Sequence, residues 1–121
     1  MLAIRGLVTL GDDVETLIFD EVDTGIGGVT AAALGVRLRR LAERRQVLCI
    51  THLPQVAAFA DRQFAIAKES DPGAGVTETV VRRVEGDERV EELCRMLGAG
   101  PGDEAARSHA LSLLEKAGAA I

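Results

Sequence analysis

The chain has 121 residues, 47% of them hydrophobic, and carries 14 Lys and Arg against 19 Asp and Glu for a net charge of −5. That length allows one domain with a modest core, and the acidic balance argues against a strong nucleic-acid binder acting through this segment alone, because phosphate neutralisation needs a basic footprint. With three phenylalanines and no tryptophan or tyrosine, the core must be aliphatic.

Taken in chain order, residues 1–10 read as the tail of a helix with Ile4, Leu7 and Val8 on one side. No capping residue precedes it, the pattern of a chain that starts inside a larger protein. The opening does not read as a signal peptide: Arg5 interrupts its apolar stretch, Asp12 and Asp13 follow, and there is no small-residue cleavage site. Gly11, Asp12 and Asp13 form a turn, and an apolar strand follows over 16–19. Ala31, Leu34, Leu38 and Leu41 recur at helical spacing, which predicts an amphipathic helix over 29–44. A second strand, over 47–51, is continuously apolar, as expected for a strand covered on both faces. Pro54 suits the first turn of a short helix ending near Ala60.

Residues 63–68 and 77–84 then read as an antiparallel hairpin at the edge of the sheet, joined through Pro72 and Gly73. Asp87 is placed to cap a helix carrying Val90, Leu93 and Leu97 and stopped by Gly98. A glycine-rich connector leads to a last helix with Ala106, Ala110, Leu113 and Ala117 along one side. Cys49 and Cys94 fall inside these elements and read as buried reduced thiols, which implies a cytoplasmic setting. No segment approaches the roughly 20 apolar residues of a membrane span.

The chemistry-bearing residues lie where the strands end. The first strand stops at Asp20 and Glu21 and runs into a turn containing Gly25, Gly27 and Gly28. Acids at the C-terminal end of a buried strand sit where open α/β sheets bind ligands. Two adjacent carboxylates can divide the work, one supporting a magnesium shell and the other handling a water. An isolated Asp-Glu pair is also compatible with a solvated strand end, or with a helix cap formed by Asp23 or Thr24. The apolar strand before the pair and the glycines after it favour function, since glycine permits positive φ or close approach of another surface. The second strand delivers His52 to the matching position. His109, among Ala and Ser, reads as a surface residue. Of the arginines at 37, 39, 40, 44 and 45, Arg37, Arg40 and Arg44 share the face opposite the leucine stripe and read as solvated. There is no Walker A loop, no zinc-type spacing and no nucleophile elbow.

With TLIFDEVDTGIGG and CITHLPQVAAFAD both present, the sequence resembles the C-terminal end of the RecN family. These are bacterial DNA-repair ATPases related to the SMC and ABC families. The resemblance extends through GDERVEELCRMLG to the terminal helix. It implies an α/β fold: the C-terminal lobe of a P-loop ATPase head, mainly a parallel sheet with an edge hairpin and flanking helices, spanning 1–121 as one partial domain. By the resemblance, Asp20 is the Walker B aspartate that supports magnesium through water, and Glu21 is the general base. His52 is the switch histidine near the γ-phosphate. Asp23, Thr24, Gly25, Ile26, Gly27 and Gly28 form the D-loop, which faces a second head in an ATP-sandwiched homodimer. The implied ligands are ATP and Mg2+, the implied further partner is DNA through the complete protein, and the implied location is the cytoplasm and its nucleoid, with no membrane.

The Walker A lysine, Q-loop, coiled-coil arms and signature segment are not in this chain, and Gly27 stands where many relatives carry the D-loop aspartate. The chain alone is therefore expected not to hydrolyse ATP. Three other readings stay open on the residues: a segment of another ABC-type ATPase, such as a transporter subunit; a metal-dependent phosphotransfer or nuclease domain using Asp20, Glu21 and Asp23; and a non-catalytic dimerisation or docking module.

Overall fold

Strand β1 (Thr16–Asp20) and strand β2 (Gln46–Ile50) are joined by helix α1 (Gly28–Ala42) and pair in parallel, the βαβ arrangement that the spacing of apolar runs predicts. The architecture is seen in a computed structural model, which describes residues 15–21, 25 and 27–120. The helix expected over 1–10, the turn over 11–13, and Asp23, Thr24 and Ile26 lie outside the described residues. The short helix α2 (Pro54–Ala57) follows β2. Next come strands β3 (Gln63–Asp71) and β4 (Val76–Val84), then helices α3 (Gly86–Met96) and α4 (Glu104–Ala119).

One face of the parallel pair is packed. Leu17 and Phe19 of β1 meet Ala31, Leu34 and Leu38 of α1, with Val56 from α2 and partly buried Leu41, Val47, Cys49 and Leu53 around them. This is the leucine stripe read from the sequence, facing the strands. The other face differs from expectation. Ile18 is 65% exposed, and Leu48 and Ile50 are about half exposed, so the described residues cover the sheet on one side only. Parallel sheets are normally covered on both faces. The continuously apolar strand therefore carries a second face for which this chain supplies no layer among the described residues.

The second core joins Ala57 of α2, Val90 and Leu93 of α3, and Ala110 of α4, with Cys94, Leu97 and Leu114 against them. Val56 and Ala57 are sequence neighbours that enter different cores, so α2 is the wedge between the two halves. Helix α3 ends at Gly98, whose φ of +79° suits a residue without Cβ. Gly98 N–H donates to Arg95 O and Ala99 N–H to Cys94 O, the Schellman pattern that satisfies the last carbonyls. Helix α4 is capped by Asp103, whose Oδ1 accepts from Ala106 N–H at 3.0 Å. Asp87 does not cap α3 as expected: the cap position is Glu85, without a side-chain bond. The Asp87 carboxylate instead accepts from Arg107 of α4 at 2.9 Å. With a charged partner in reach from the neighbouring helix, it ties α3 to α4.

The hairpin forms with longer strands than the alternation implied, pairing from Gln63↔Val84 to Asp71↔Val76. Among the described residues it is a sheet of its own, not an edge of the parallel pair. Its tether runs to the helices, where buried Gln63 meets Arg89 and Val84 closes down at 2% exposure. Neither Cys49 nor Cys94 is in a disulfide, and both are half-buried.

Helix α1 touches the turn after α2 at Gly35. A Cβ there would sit 2.2 Å from Phe59 Cδ2 and 2.8 Å from Cγ, so rotating the ring about its own axis cannot relieve the clash. Alanine would gain about 1 kcal/mol of helix propensity over glycine, against an overpacking cost of about 1–3 kcal/mol. Gly35→Ala is accordingly expected to destabilise the chain by up to about 2 kcal/mol, read as a lowered urea midpoint at unchanged slope. A raised midpoint would show that the ring moves aside without cost.

Candidate functional site

Parallel pairing fixes which residues share an end of the sheet. Asp20 is in register with Ile50, and the ladder continues one step further, where Glu21 N–H donates to Ile50 O at 3.3 Å. Two residues beyond Ile50 is His52. The structure thus brings Asp20, Glu21 and His52 to one rim at the C-terminal ends of neighbouring strands, about 5 Å apart as parallel strands lie. All three are exposed. Had β2 run antiparallel to β1, His52 would lie at the far end of the sheet from the acids.

Glu21 is the one described non-glycine residue with positive φ, at +51°. The left-handed region costs an L-residue about 1–2 kcal/mol. Strain of this kind persists where surrounding contacts over-determine the backbone, and it concentrates at functional positions. Here the Ile50 hydrogen bond supplies part of that restraint and turns the chain sharply out of β1. On the other strand, Leu53 N–H donates to Thr51 Oγ1 at 3.0 Å, a local turn that bends the chain at His52. Leu53 O then accepts from both Val56 N–H and Ala57 N–H at 3.1 Å. His52 therefore sits on a turn bonded directly into α2.

Of the expected D-loop, Gly25 takes φ +77°. Gly27 is extended at φ −89° and occupies the N-cap of α1 without a side-chain bond. Among the described residues, nothing lies within 4 Å of a Cβ built at either. Neither glycine is therefore required by close packing among the described residues. Gly28 opens α1.

The donor set suits a magnesium ion held largely by water and phosphate. Mg2+ typically takes one or two carboxylates together with substrate phosphates, and the rim offers Asp20 and Glu21. Among the described residues no group of three or more His, Cys, Asp or Glu could hold a metal by itself. Neither of two clefts, of about 390 and 100 Å3, is lined by Asp20, Glu21 or His52. The rim is an open edge.

Two residues that matter here escaped the sequence reading. Arg39, grouped there with the other arginines of α1, is only partly exposed; it donates to Phe59 O and pairs with Asp61. Arg89 of α3 donates to Gln63 Oε1 and to the carbonyls of Ala57, Ala58 and Ala60. Burial pushes its guanidinium below its ordinary value, Asp61 pulls it back up, and Arg39 adds to the depression. An arginine nonetheless keeps its charge. The signal for both residues was slight: a cationic side chain on the same helical face as core positions. Arg37, Arg40, Arg44 and His109 are exposed, as read.

The sequence is 51% identical over 117 residues to the DNA repair protein RecN of Streptomyces coelicolor, a match covering 97% of this chain and 20% of that protein. It is 47% identical over 114 residues to RecN of Deinococcus radiodurans, covering 94% of the chain and 19% of that protein. The chain is RecN-like. RecN of Vibrio cholerae is 45% identical over 113 residues, 93% of the chain and 20% of that protein, so the RecN-like sequence spans about one fifth of the curated relatives it matches. No protein-family model matches it. Among solved structures, one from work on ATP-driven dimerization and DNA-stimulated activation of SMC ATPases aligns with a TM-score of 0.61. It is 15% identical and covers 84% of this chain and 58% of that one. The α/β fold of the chain resembles that of this SMC ATPase structure. Among the described residues, no helix is long and apolar enough to cross a membrane.

Proposed function

We propose that this RecN-like chain is the C-terminal lobe of an ATPase head that acts in the repair of DNA breaks. Its share of the work is the water-activating half of a composite ATP site. The observation that carries the reading is the parallel register of Asp20 with Ile50, which sets two carboxylates and His52 on one open rim. The apolar face at Ile18, Leu48 and Ile50 supports it, being what a lobe presents to the rest of its own head.

In this reading Glu21 orients and deprotonates the attacking water, a role that needs a carboxylate held in a fixed direction. The hydrogen bond from its own N–H to Ile50 O anchors the backbone that carries it. Asp20, one residue earlier, supports the magnesium ion through its water shell. The ion's contribution, when bound with ATP, is to offset phosphate charge. His52 donates a hydrogen bond toward the γ-phosphate, where charge develops during transfer. The segment from Asp23 through Thr24, Gly25, Ile26 and Gly27 to Gly28 meets a second head, so that ATP clamps two heads together and hydrolysis releases them. DNA is engaged by the complete protein, in the cytoplasm and at the nucleoid. Alone, the chain carries no Walker A sequence, and its two acids would repel a triphosphate.

His52→Ala in the full-length protein is expected to lower ATP turnover by about 100-fold, the scale for removing one donor from a developing charge, while ATP affinity changes far less. Steady-state ATPase assays with fluorescent-nucleotide binding separate the two quantities. Unchanged turnover would remove His52 from the site.

A further inference from the structure

A four-residue helix has too few internal hydrogen bonds to hold its own position. Helix α2 is such a helix, and it is the element into which the His52 turn is bonded. Its first turn is tied back through Leu53 O, which accepts from Val56 and Ala57, and the chain beyond closes through Phe59 N–H to Val56 O and Ala60 N–H to Ala57 O. The carbonyls at its far end point away from any continuing helix and need donors from elsewhere.

Those donors are two arginines from different elements. Arg89 Nη2 donates to Ala60 O at 2.9 Å, to Ala58 O at 3.1 Å and, more weakly, to Ala57 O at 3.4 Å. Its Nε donates to Gln63 Oε1 at 3.1 Å. Arg39 Nη1 takes the intervening carbonyl, Phe59 O, at 3.3 Å. Gln63 is itself buried and donates through Nε2 to Met96 Sδ at 3.7 Å, so the Arg89 fork is held from behind. A planar guanidinium with several fixed donors can gather three carbonyls; a lysine ammonium, a compact point charge, does so less well.

We propose that Arg89 is a positioning residue for His52. By collecting the carbonyls after α2, it locks the wedge between the two cores and so fixes the turn that presents the histidine at the rim. The inference rests on the function proposed for His52. Arg89 holds the carbonyls of Ala57, Ala58 and Ala60 and acts on the rim through segment 53–60.

The test uses the full-length protein carrying Arg89→Met, Arg89→Lys, His52→Ala and the double variant His52→Ala with Arg89→Met. Amide hydrogen exchange in peptides covering 51–60 reads the positioning directly, without reference to turnover. In Arg89→Met, exchange there is expected to speed up about tenfold, with peptides covering β1 unchanged. Turnover should fall about tenfold at nearly constant KM for ATP, the signature of a misplaced group rather than lost binding. Arg89→Lys should fall between wild type and Arg89→Met in both readouts. In the His52→Ala background, Arg89→Met should cost nothing further, because the residue it positions is gone. Unchanged exchange in 51–60 would overturn the positioning itself. An equal loss of turnover with and without His52 would overturn the link to the histidine. Faster exchange in Arg89→Met together with normal turnover in His52→Ala would instead overturn the function assigned to His52, and the positioning role with it.

Discussion

Glu21→Gln in the complete protein is expected to lower ATP turnover at least ~100-fold and leave ATP binding intact. Glutamine matches glutamate in shape and keeps an oxygen that can accept a hydrogen bond, but it takes up no proton. The substitution therefore separates orienting a water from deprotonating it. Backbone geometry gives a second control. Glu21 holds φ at +51°, and glutamine must pay the same left-handed cost, so the two forms should unfold at the same temperature. Glu21→Gly would relieve about 1–2 kcal/mol of that cost while adding back about 0.5–1 kcal/mol through unfolded-chain entropy. The glycine variant should be as stable as the parent or slightly more so, and just as inactive. Single-turnover ATPase assays with nucleotide-binding titrations check all three forms. Normal turnover in Glu21→Gln would place the base elsewhere. Loss of activity together with loss of stability in Glu21→Gly would mean that the carboxylate serves the fold.

The strand ends that form the candidate rim were legible in the sequence. An apolar run ending abruptly in Asp20 and Glu21, and a second ending at His52, need only parallel pairing to meet, and a helix-length spacer between two strands all but requires parallel pairing. The leucine stripe of α1 and the Schellman end at Gly98 were equally readable, since both depend on local periodicity or a single residue type. Three things were not. The one-sided cover of β2 depends on layers that a strand's own composition cannot supply. The separation of the hairpin from the parallel pair depends on tertiary placement, because two strands joined by a tight turn pair with each other whatever lies beside them. The roles of Arg39 and Arg89 depend on which carbonyls another segment leaves exposed, and no pattern within α1 or α3 records that. Asp87 shows the same limit: its sequence context signals a cap, and a cation on a neighbouring helix claims it.

Truncating Phe19 should be the most damaging single change to the fold, and Ile18 beside it supplies the control. Phe19 is 1% exposed and heads the largest fully buried side chains, one residue before Asp20. Phe→Ala at such a position removes a ring the surroundings cannot replace and costs about 3–5 kcal/mol. A small domain has about 5–15 kcal/mol in all, so Phe19→Ala is expected to leave much of the chain unfolded and to release the strand end that carries both acids. Ile18 points the other way at 65% exposure. Ile18→Ser in the same chain should change stability by no more than about 0.5 kcal/mol, as urea unfolding followed by circular dichroism would measure. The two residues part company again in the complete protein. If the open face of β1 and β2 is where the rest of the head packs, Ile18→Ser becomes a buried polar substitution there. It should then lower the melting temperature of the full-length head by several degrees, at about 1–3 kcal/mol for an apolar-to-polar change in a covered layer. An Ile18→Ser variant as benign in the whole protein as in the chain would mean that this face stays exposed, and that the lobe meets its missing partner through another surface.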